Sequence, residues 1–350
     1  MSLAEACAGA ILLALIAYGV LAGADFGGGV WDALARGPRK DAQRAAIARA
    51  MGPVWEANHV WLIFVIVLLF TVFPAVFRVV SIALFVPFHL VLVGIILRGA
   101  AFAFRSHETH LAGVGSRARV WGVVFGVSSV ITPVLLGMCF GAVSSGGIRV
   151  DAGVGGVAGV TAIDGAVRFE GGVPWLSPFS WCMGGAALSL FAYLAAVFLC
   201  VETTGALQED FRRRALAAGT IVVVGAALTV PLTYFQAPHL WTGLTSVRAL
   251  PVLIVGFAAA LVSGQALLAR RPRRARIAAI VQVVALLVGW SLAQRPYLVY
   301  PDLLLEASAA EPATMRFVLG SLPIGAALIV PSLWLLFRVF KSEPRGRGAE

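Results

Sequence analysis

The sequence predicts an all-α polytopic membrane protein, and three observations predict it. Of 350 residues, 60% are hydrophobic and 13% charged, where a soluble domain carries about 25% charged residues. Mean hydropathy is +0.91. Apolar runs longer than the roughly 18 residues that cross a bilayer recur from end to end. The runs are solidly apolar, without the alternation of an outer-membrane barrel strand. A soluble enzyme, a disordered chain and a disulfide scaffold are excluded.

Nine spans are expected, at about 7–31, 55–74, 79–104, 118–145, 178–201, 215–236, 250–269, 277–294 and 314–340. They form one transmembrane domain over 1–340, followed by a short tail at 341–350. The first run lacks a basic leader and a small-residue cleavage site, so it reads as a retained helix. Pro87, Pro133 and Pro231 fall inside spans, where neighbouring helices can re-satisfy the freed carbonyls. Residues 32–54 contain PRKDAQRAAIARA and read as a short helix lying at the interface. Residues 146–177, rich in Gly and Val, read as a loop or short hairpin on the opposite surface. The spacing allows two groups of four helices and one extra.

Orientation follows from the basic residues between spans. On one side stand Arg36, Arg39, Lys40, Arg44, Arg49, Arg105, Arg117 and Arg119. The same side carries Arg212, Arg213, Arg214, Arg270, Arg271, Arg273, Arg274, Arg276, Arg338, Lys341, Arg345 and Arg347. The other side has only Arg78, Arg149, Arg168, Arg248, Arg295 and Arg316. The positive-inside rule then puts the N-terminus outside and the C-terminus in the cytoplasm. This distribution accounts for the formal charge of +10, and no nucleic-acid partner is expected.

An ionisable residue inside a span is costly and is a functional candidate by default. Two acids qualify: Asp25, in GADFGGG, and Glu56, in WEANHVW. Asp25 lies about six residues inside its span, roughly 9 Å at 1.5 Å per residue. Trp55, Asn58 and Trp61 share one helical face, and Glu56 and His59 share another. Glu56 and His59 can therefore exchange a proton, since His titrates near neutral pH. The plainer reading makes the tryptophans an interfacial belt and Glu56 a solvated helix end. Arg98, in RGAAFAFR, counts to the same depth as Asp25, and pairing would lower the cost of burying both. Snorkelling of Arg98 to the surface is the alternative.

Of five histidines, only His59 and His89 lie in spans. Their depths differ by roughly 16 Å, too far to ligate one haem iron from opposite faces. There is no CxxCH, HExxH, Walker A loop or GxSxG motif, and no metal site is expected. Cys7, Cys139, Cys182 and Cys200 are scattered through apolar segments and read as small buried hydrophobes.

Four motifs in order resemble subunit II of cytochrome bd-type quinol oxidases, the cyanide-insensitive branch included. They are GADFGGGVW (23–31), GPVWEANHVWLI (52–63), RGAAFAFR (98–105) and PYLVYPDLLLEASAAEPATM (296–315). The resemblance covers essentially the whole chain. It implies two four-helix bundles plus a peripheral helix in a bacterial cytoplasmic (inner) membrane. It implies a partner, subunit I, that holds haem b and haem d (or a b-type variant) and the quinol site, while this chain binds none alone. Small accessory subunits, quinone and lipid are further expected partners. The complex would oxidise quinol, reduce dioxygen to water, and take its chemical protons from the cytoplasm. Asp25 and Glu56 match acidic positions of the family motifs, which makes Asp25, Glu56, Asn58 and His59 the proton-path candidates. Arg98, Trp55 and Trp61 are the structural or ion-pair candidates.

The chain departs from the family pattern at Ala22 and Ala103, where relatives often carry an acid; an alanine cannot relay a proton. Two other readings compete. A secondary transporter would place polar residues near the bilayer midplane, whereas here the charges cluster toward one face. A structural subunit of another respiratory complex is the second. The stretch GGAALSLFAYLA (184–195) is small enough to pack against a partner subunit.

Overall fold

The computed structural model describes residues 1–108, 115–151 and 166–341, with a few further side chains, Glu56 among them, outside the described set. The chain opens with α1 (Leu3–Ala33), α2 (Lys40–Val72), α3 (Pro74–Ala83), α4 (Phe85–Glu108) and α5 (Gly115–Ser145). After the strands β1 (Ile148–Val150) and β2 (Val167–Phe169) come α6 (Pro178–Glu202) and α7 (Gly205–Gln236). Then follow α8 (Pro238–Leu244), α9 (Leu250–Leu268) and α10 (Pro272–Gln294). The strands β3 (Tyr297–Val299) and β4 (Leu303–Leu304) precede α11 (Pro312–Lys341). Among the described residues, eight helices are long and apolar enough to cross a membrane, and the bent pair α2–α3 makes a ninth candidate.

The helix ends follow local chemistry. Ser2 caps α1, its Oγ accepting from the Glu5 N–H at 3.0 Å in a capping box. The interfacial helix expected in 32–54 and the second span are instead one continuous helix, α2. Ala, Arg, Gln and Lys are strong helix formers, so hydropathy marks where the apolar part begins rather than where the helix does. The helix stops at Phe73, because Pro74 has no N–H to continue it. The chain then turns by 119° into α3. The third span therefore starts at Phe85, not near residue 79. Likewise α7 begins at Gly205 and takes in Arg212, Arg213 and Arg214, which the sequence had placed in a connection.

The surface segment at 146–177 contains an antiparallel pairing, Ile148 opposite Phe169, while its stretch 152–165 lies outside the described residues. The tail at 342–350 lies outside them too. The short helix α8 and the β3–β4 pairing were not expected.

In the packing, α1, α2, α4 and α5 gather on one side of α6, while α7, α9 and α10 gather on the other. The helix α11 lies at the edge against α1 and α2. Its apolar side chains face outward: Phe317 is 78% exposed and Leu328 68%. An apolar face of this extent needs lipid or a partner to cover it.

The glycines of α1 set the closest approach. A Cβ on Gly27 would stand 1.9 Å from the Phe191 carbonyl oxygen, and one on Gly23 2.6 Å from Leu194 Cδ1. Gly29 meets α5 in the same way, with Ser129 Oγ 2.0 Å from where its Cβ would be. Trp31 Nε1 then donates to the Ala192 carbonyl at 2.7 Å, locking α1 to α6. One side of the small-residue stretch 184–195 packs inside the chain: a Cβ on Gly184 would meet the Val134 carbonyl oxygen at 2.8 Å, and Leu194 and Ala195 are fully buried, while Gly185 is exposed. One expectation is corrected here: the acids of α1 are not confined to Asp25, because Asp32 lies in the helix and is buried.

Substituting Gly27 by Ala forces backbone apart, so it should cost about 1–3 kcal/mol and lower the thermal unfolding midpoint of the detergent-solubilised protein. Gly185, whose added Cβ meets nothing within 4 Å, is the control, and G185A should leave that midpoint unchanged.

Candidate functional site

Asp25 and Arg98 form an ion pair in the interior of the first helix group. Arg98 Nη1 donates to Asp25 Oδ2 at 2.6 Å and Nη2 to Oδ1 at 2.7 Å. Nη2 also donates to the Asp25 carbonyl at 2.8 Å, and Nε donates to Ser129 Oγ at 3.0 Å. The guanidinium carbon sits 4.7 Å from the Phe26 ring centre and 4.8 Å from that of Phe125. Asn58 of α2 donates from Nδ2 to Asp25 Oδ2 at 2.8 Å. Asp25 is 1% exposed and Arg98 2%, so snorkelling does not occur. Residues from α1, α2, α4 and α5 thus meet at one ion pair.

The pair repeats. Arg105 donates to both carboxylate oxygens of Asp32, at 2.9 and 3.1 Å. Both pairs span 73 residues, so α1 and α4 are in register, with the second rung two turns further along each helix. This rung is wetter, with 27% of the Arg105 side chain exposed, and Arg44 adds a bond from Nε to the Asp32 carbonyl at 3.3 Å. The sequence reading overlooked this rung and the roles of Ser129, Phe26 and Phe125. A usable signal was present: Asp25 and Asp32 are spaced by seven, as are Arg98 and Arg105.

The other candidates divide. Trp55 stacks on Phe102 with centres 6.0 Å apart, and its ring fills the space above Gly99. Its Nε1 is buried without a hydrogen-bond partner among the described residues, as are Asn58 Oδ1 and Tyr18 Oη. Trp61 packs against the buried cluster of Tyr18, Ala22 and Phe26. Both tryptophans are half-buried in the fold. His59 Nδ1 lies 2.7 Å from the Trp55 carbonyl oxygen; a carbonyl only accepts, so Nδ1 is the donor in this contact. Glu56 belongs to α2, and its side chain lies outside the described residues. Among the described residues no group of three His, Cys, Asp or Glu side chains is placed to hold a metal ion. His89 is exposed, and His239 stacks on Tyr300 at 4.2 Å.

Removing one partner of a buried ion pair leaves a bare charge and costs roughly 3–5 kcal/mol, whereas apolar replacement of both costs less. Arg98→Met should therefore destabilise the protein more than the double variant Asp25→Leu/Arg98→Met. Thermal unfolding of purified complexes reads both, and equal loss in the two would show that the pair is not the source.

Comparison with known proteins places this arrangement. The family described as cytochrome bd terminal oxidase subunit II matches residues 3–340. A Bacillus subtilis (strain 168) protein named as a cytochrome bd menaquinol oxidase subunit II is 22% identical over 341 residues, 94% of this chain and 92% of that protein. The cytochrome bd ubiquinol oxidase subunit 2 of the same organism is 28% identical over 65% of this chain and 62% of its own length. For the cytochrome bd-I ubiquinol oxidase subunit 2 of Escherichia coli (strain K12) the figures are 27% identity, 61% and 52%. These last two matches span less than two thirds of those relatives. The fold is that of the bd oxidase from Geobacillus thermodenitrificans, with a TM-score of 0.79 and 23% identity over 97% of this chain and 99% of that chain. With the family matched from one end of the helical domain to the other, the chain belongs to the cytochrome bd terminal oxidase subunit II family.

Proposed function

We propose that this chain is the haem-free subunit of a bd-type oxidase in a bacterial cytoplasmic membrane, supporting a haem-bearing subunit I. The observation that carries this reading is the family match across residues 3–340. The complex would oxidise two quinols, release their four protons on the outer side, and reduce one dioxygen to two waters with four protons from the cytoplasm. Haem, when present on the partner, supplies the electron transfer and the oxygen chemistry. Among the described residues, the histidines are not brought together as a pair of haem ligands. His89 is exposed beside Phe85, and His59 and His239 stand on separate elements with different ring partners.

The part left to this chain is structural and proton-linked. The basic residues put the ladder's wetter rung, Asp32 with Arg105, nearer the cytoplasm. From there, Asp25 and Asn58 continue the polar column inward. Glu56 and His59 stand on the same helix as Asn58, within one turn of it. Asn58 Oδ1 and Tyr18 Oη each have hydrogen-bonding capacity not taken up among the described residues, which suits a site that handles protons. Ala22, at a position where relatives often have an acid, is fully buried against Tyr18 and Phe26. A route through this chain would pass on the Asn58 side of α1.

A proton-carrying group that is made non-titratable should slow turnover without disturbing the haems. Glu56→Gln and Asp25→Asn complexes that assemble with full haem content should lose about 10-fold or more in quinol-driven oxygen consumption. Wild-type turnover in both variants would leave the subunit a purely structural role. A preparation of the native protein with no haem-bearing partner would instead favour the transporter reading.

A further inference from the structure

At the cation-rich face, the ends of α1, α2, α4 and α5 enclose an open groove of about 890 Å³. Lys40, Arg44, Arg105 and Arg119 line its polar end. Asp32 engages Arg105 and Arg44, so one carboxylate stands against four cations. Lys40 and Arg119 form no ion pair among the described residues.

The rest of the groove is apolar and runs along α5 toward the middle of the membrane. Val123 is 60% exposed, Val127 50% and Ile131 48%. From Arg119 to Ile131 the helix rises roughly 18 Å, which is more than half of a hydrocarbon core of about 30 Å. Gly122 leaves the groove wide near its polar end, since a Cβ there would meet nothing within 4 Å.

We propose that this groove binds an anionic phospholipid, its phosphate among Lys40, Arg44, Arg105 and Arg119 and one acyl chain along Val123, Val127 and Ile131. Two features select this ligand. The excess of cations suits a phosphate-bearing headgroup, and basic pockets between membrane helices bind such headgroups. The long exposed wall of branched aliphatic side chains offers nothing to a free phosphate or another small soluble anion, but it matches a hydrocarbon chain. Charge and apolar surface also follow one another in the order in which a lipid presents them, headgroup at the interface and chain inward. The proposal needs only that the helices span a bilayer, so it stands apart from the oxidase reading.

The test is native mass spectrometry of the intact purified complex, delipidated and then titrated with phosphatidylglycerol. Wild type should retain one tightly held phosphatidylglycerol that is lost in Lys40→Gln/Arg119→Gln. The apparent affinity should fall roughly 10- to 30-fold when the two cations are removed. Gly122→Leu, which fills the groove without touching a cation, should weaken the same site. Phosphatidylcholine binding should be unchanged in every variant, and millimolar inorganic phosphate should not displace the phosphatidylglycerol. Unchanged retention in Lys40→Gln/Arg119→Gln would overturn the proposal, and displacement by inorganic phosphate would reassign the groove to a free anion. Should the charge variant fail to assemble, a photoreactive residue at the exposed Val127 of an otherwise wild-type complex decides. A lipid adduct supports the proposal, and an adduct to another polypeptide overturns it.

Discussion

A guanidinium and a carboxylate held away from water are tolerable only if they pair and find further hydrogen-bond partners, and the first helix group is built around that requirement. The Arg98–Asp25 pair carries two parallel side-chain bonds, a third to the Asp25 carbonyl and a fourth to Ser129. The guanidinium also lies over the rings of Phe26 and Phe125, where a desolvated cation gains most from an aromatic face. These contacts dictate the spacing of the helices. Ser129 reaches Arg98 only because α5 lies close against α1, and it lies close because Gly29 has no side chain in the way. The glycine run, which looks in isolation like a ligand loop, is the steric condition for the ion pair.

The repetition of the pair two turns further on makes α1 and α4 a ladder of graded wetness. The inner rung is sealed, with side chains 3% and 1% exposed, and the outer rung opens to 27% at Arg105. A two-rung ladder resists sliding as well as separation, since a shift of one residue along either helix would unmake both rungs. The α1–α4 register is thereby held without depending on side-by-side packing of those helices, which pack chiefly on α2, α5 and α6. Rigidity of this kind suits a subunit whose proposed work is to hold a partner and present a fixed polar column beside Asn58.

How much of this was legible depends on which physical signal each feature leaves. The fold class was plain because hydrocarbon solvation demands long apolar runs, and such runs survive any error in counting. Asp25 and Arg98 were visible because each is a charge inside such a run, and their matched depth suggested the contact that the structure shows. Asp32 was passed over because a hydropathy window ends just before it, although its seven-residue offset from Asp25 matches that of Arg105 from Arg98. Helix ends were misplaced wherever a polar but helix-favouring stretch continues a span, as before residue 55 in α2 and at Arg212–Arg214 in α7. The small-residue stretch of α6 was read only as a surface for a partner, and its inner side was missed, because one sequence cannot tell an internal neighbour from an external one. The ladder's remaining partners, Ser129, Phe26 and Phe125, carry no sequence signal at all, since serine and phenylalanine are ordinary residues in any membrane helix.

The charge asymmetry between the two ends of the helices is also partly consumed by the fold. On the cation-rich side Asp210 takes Arg39, Asp32 takes Arg105, and Glu209 takes Arg212, Arg213 and Arg270. Glu202 meets Arg276 on the same side. The acids there tie one helix end to another, so the positive excess that remains is concentrated where, among the described residues, no acid answers it. Lys40 and Arg119 are such a remainder, and they stand at the mouth of an apolar groove rather than on open surface. A cation in that place meets the headgroup layer whether or not it has evolved a specific ligand. What distinguishes this groove is the apolar wall behind the charge, because orientation alone requires no hydrocarbon-shaped surface. The same residues then serve two physical ends in the proposal, adding to the charge asymmetry through their number and holding a lipid through their placement.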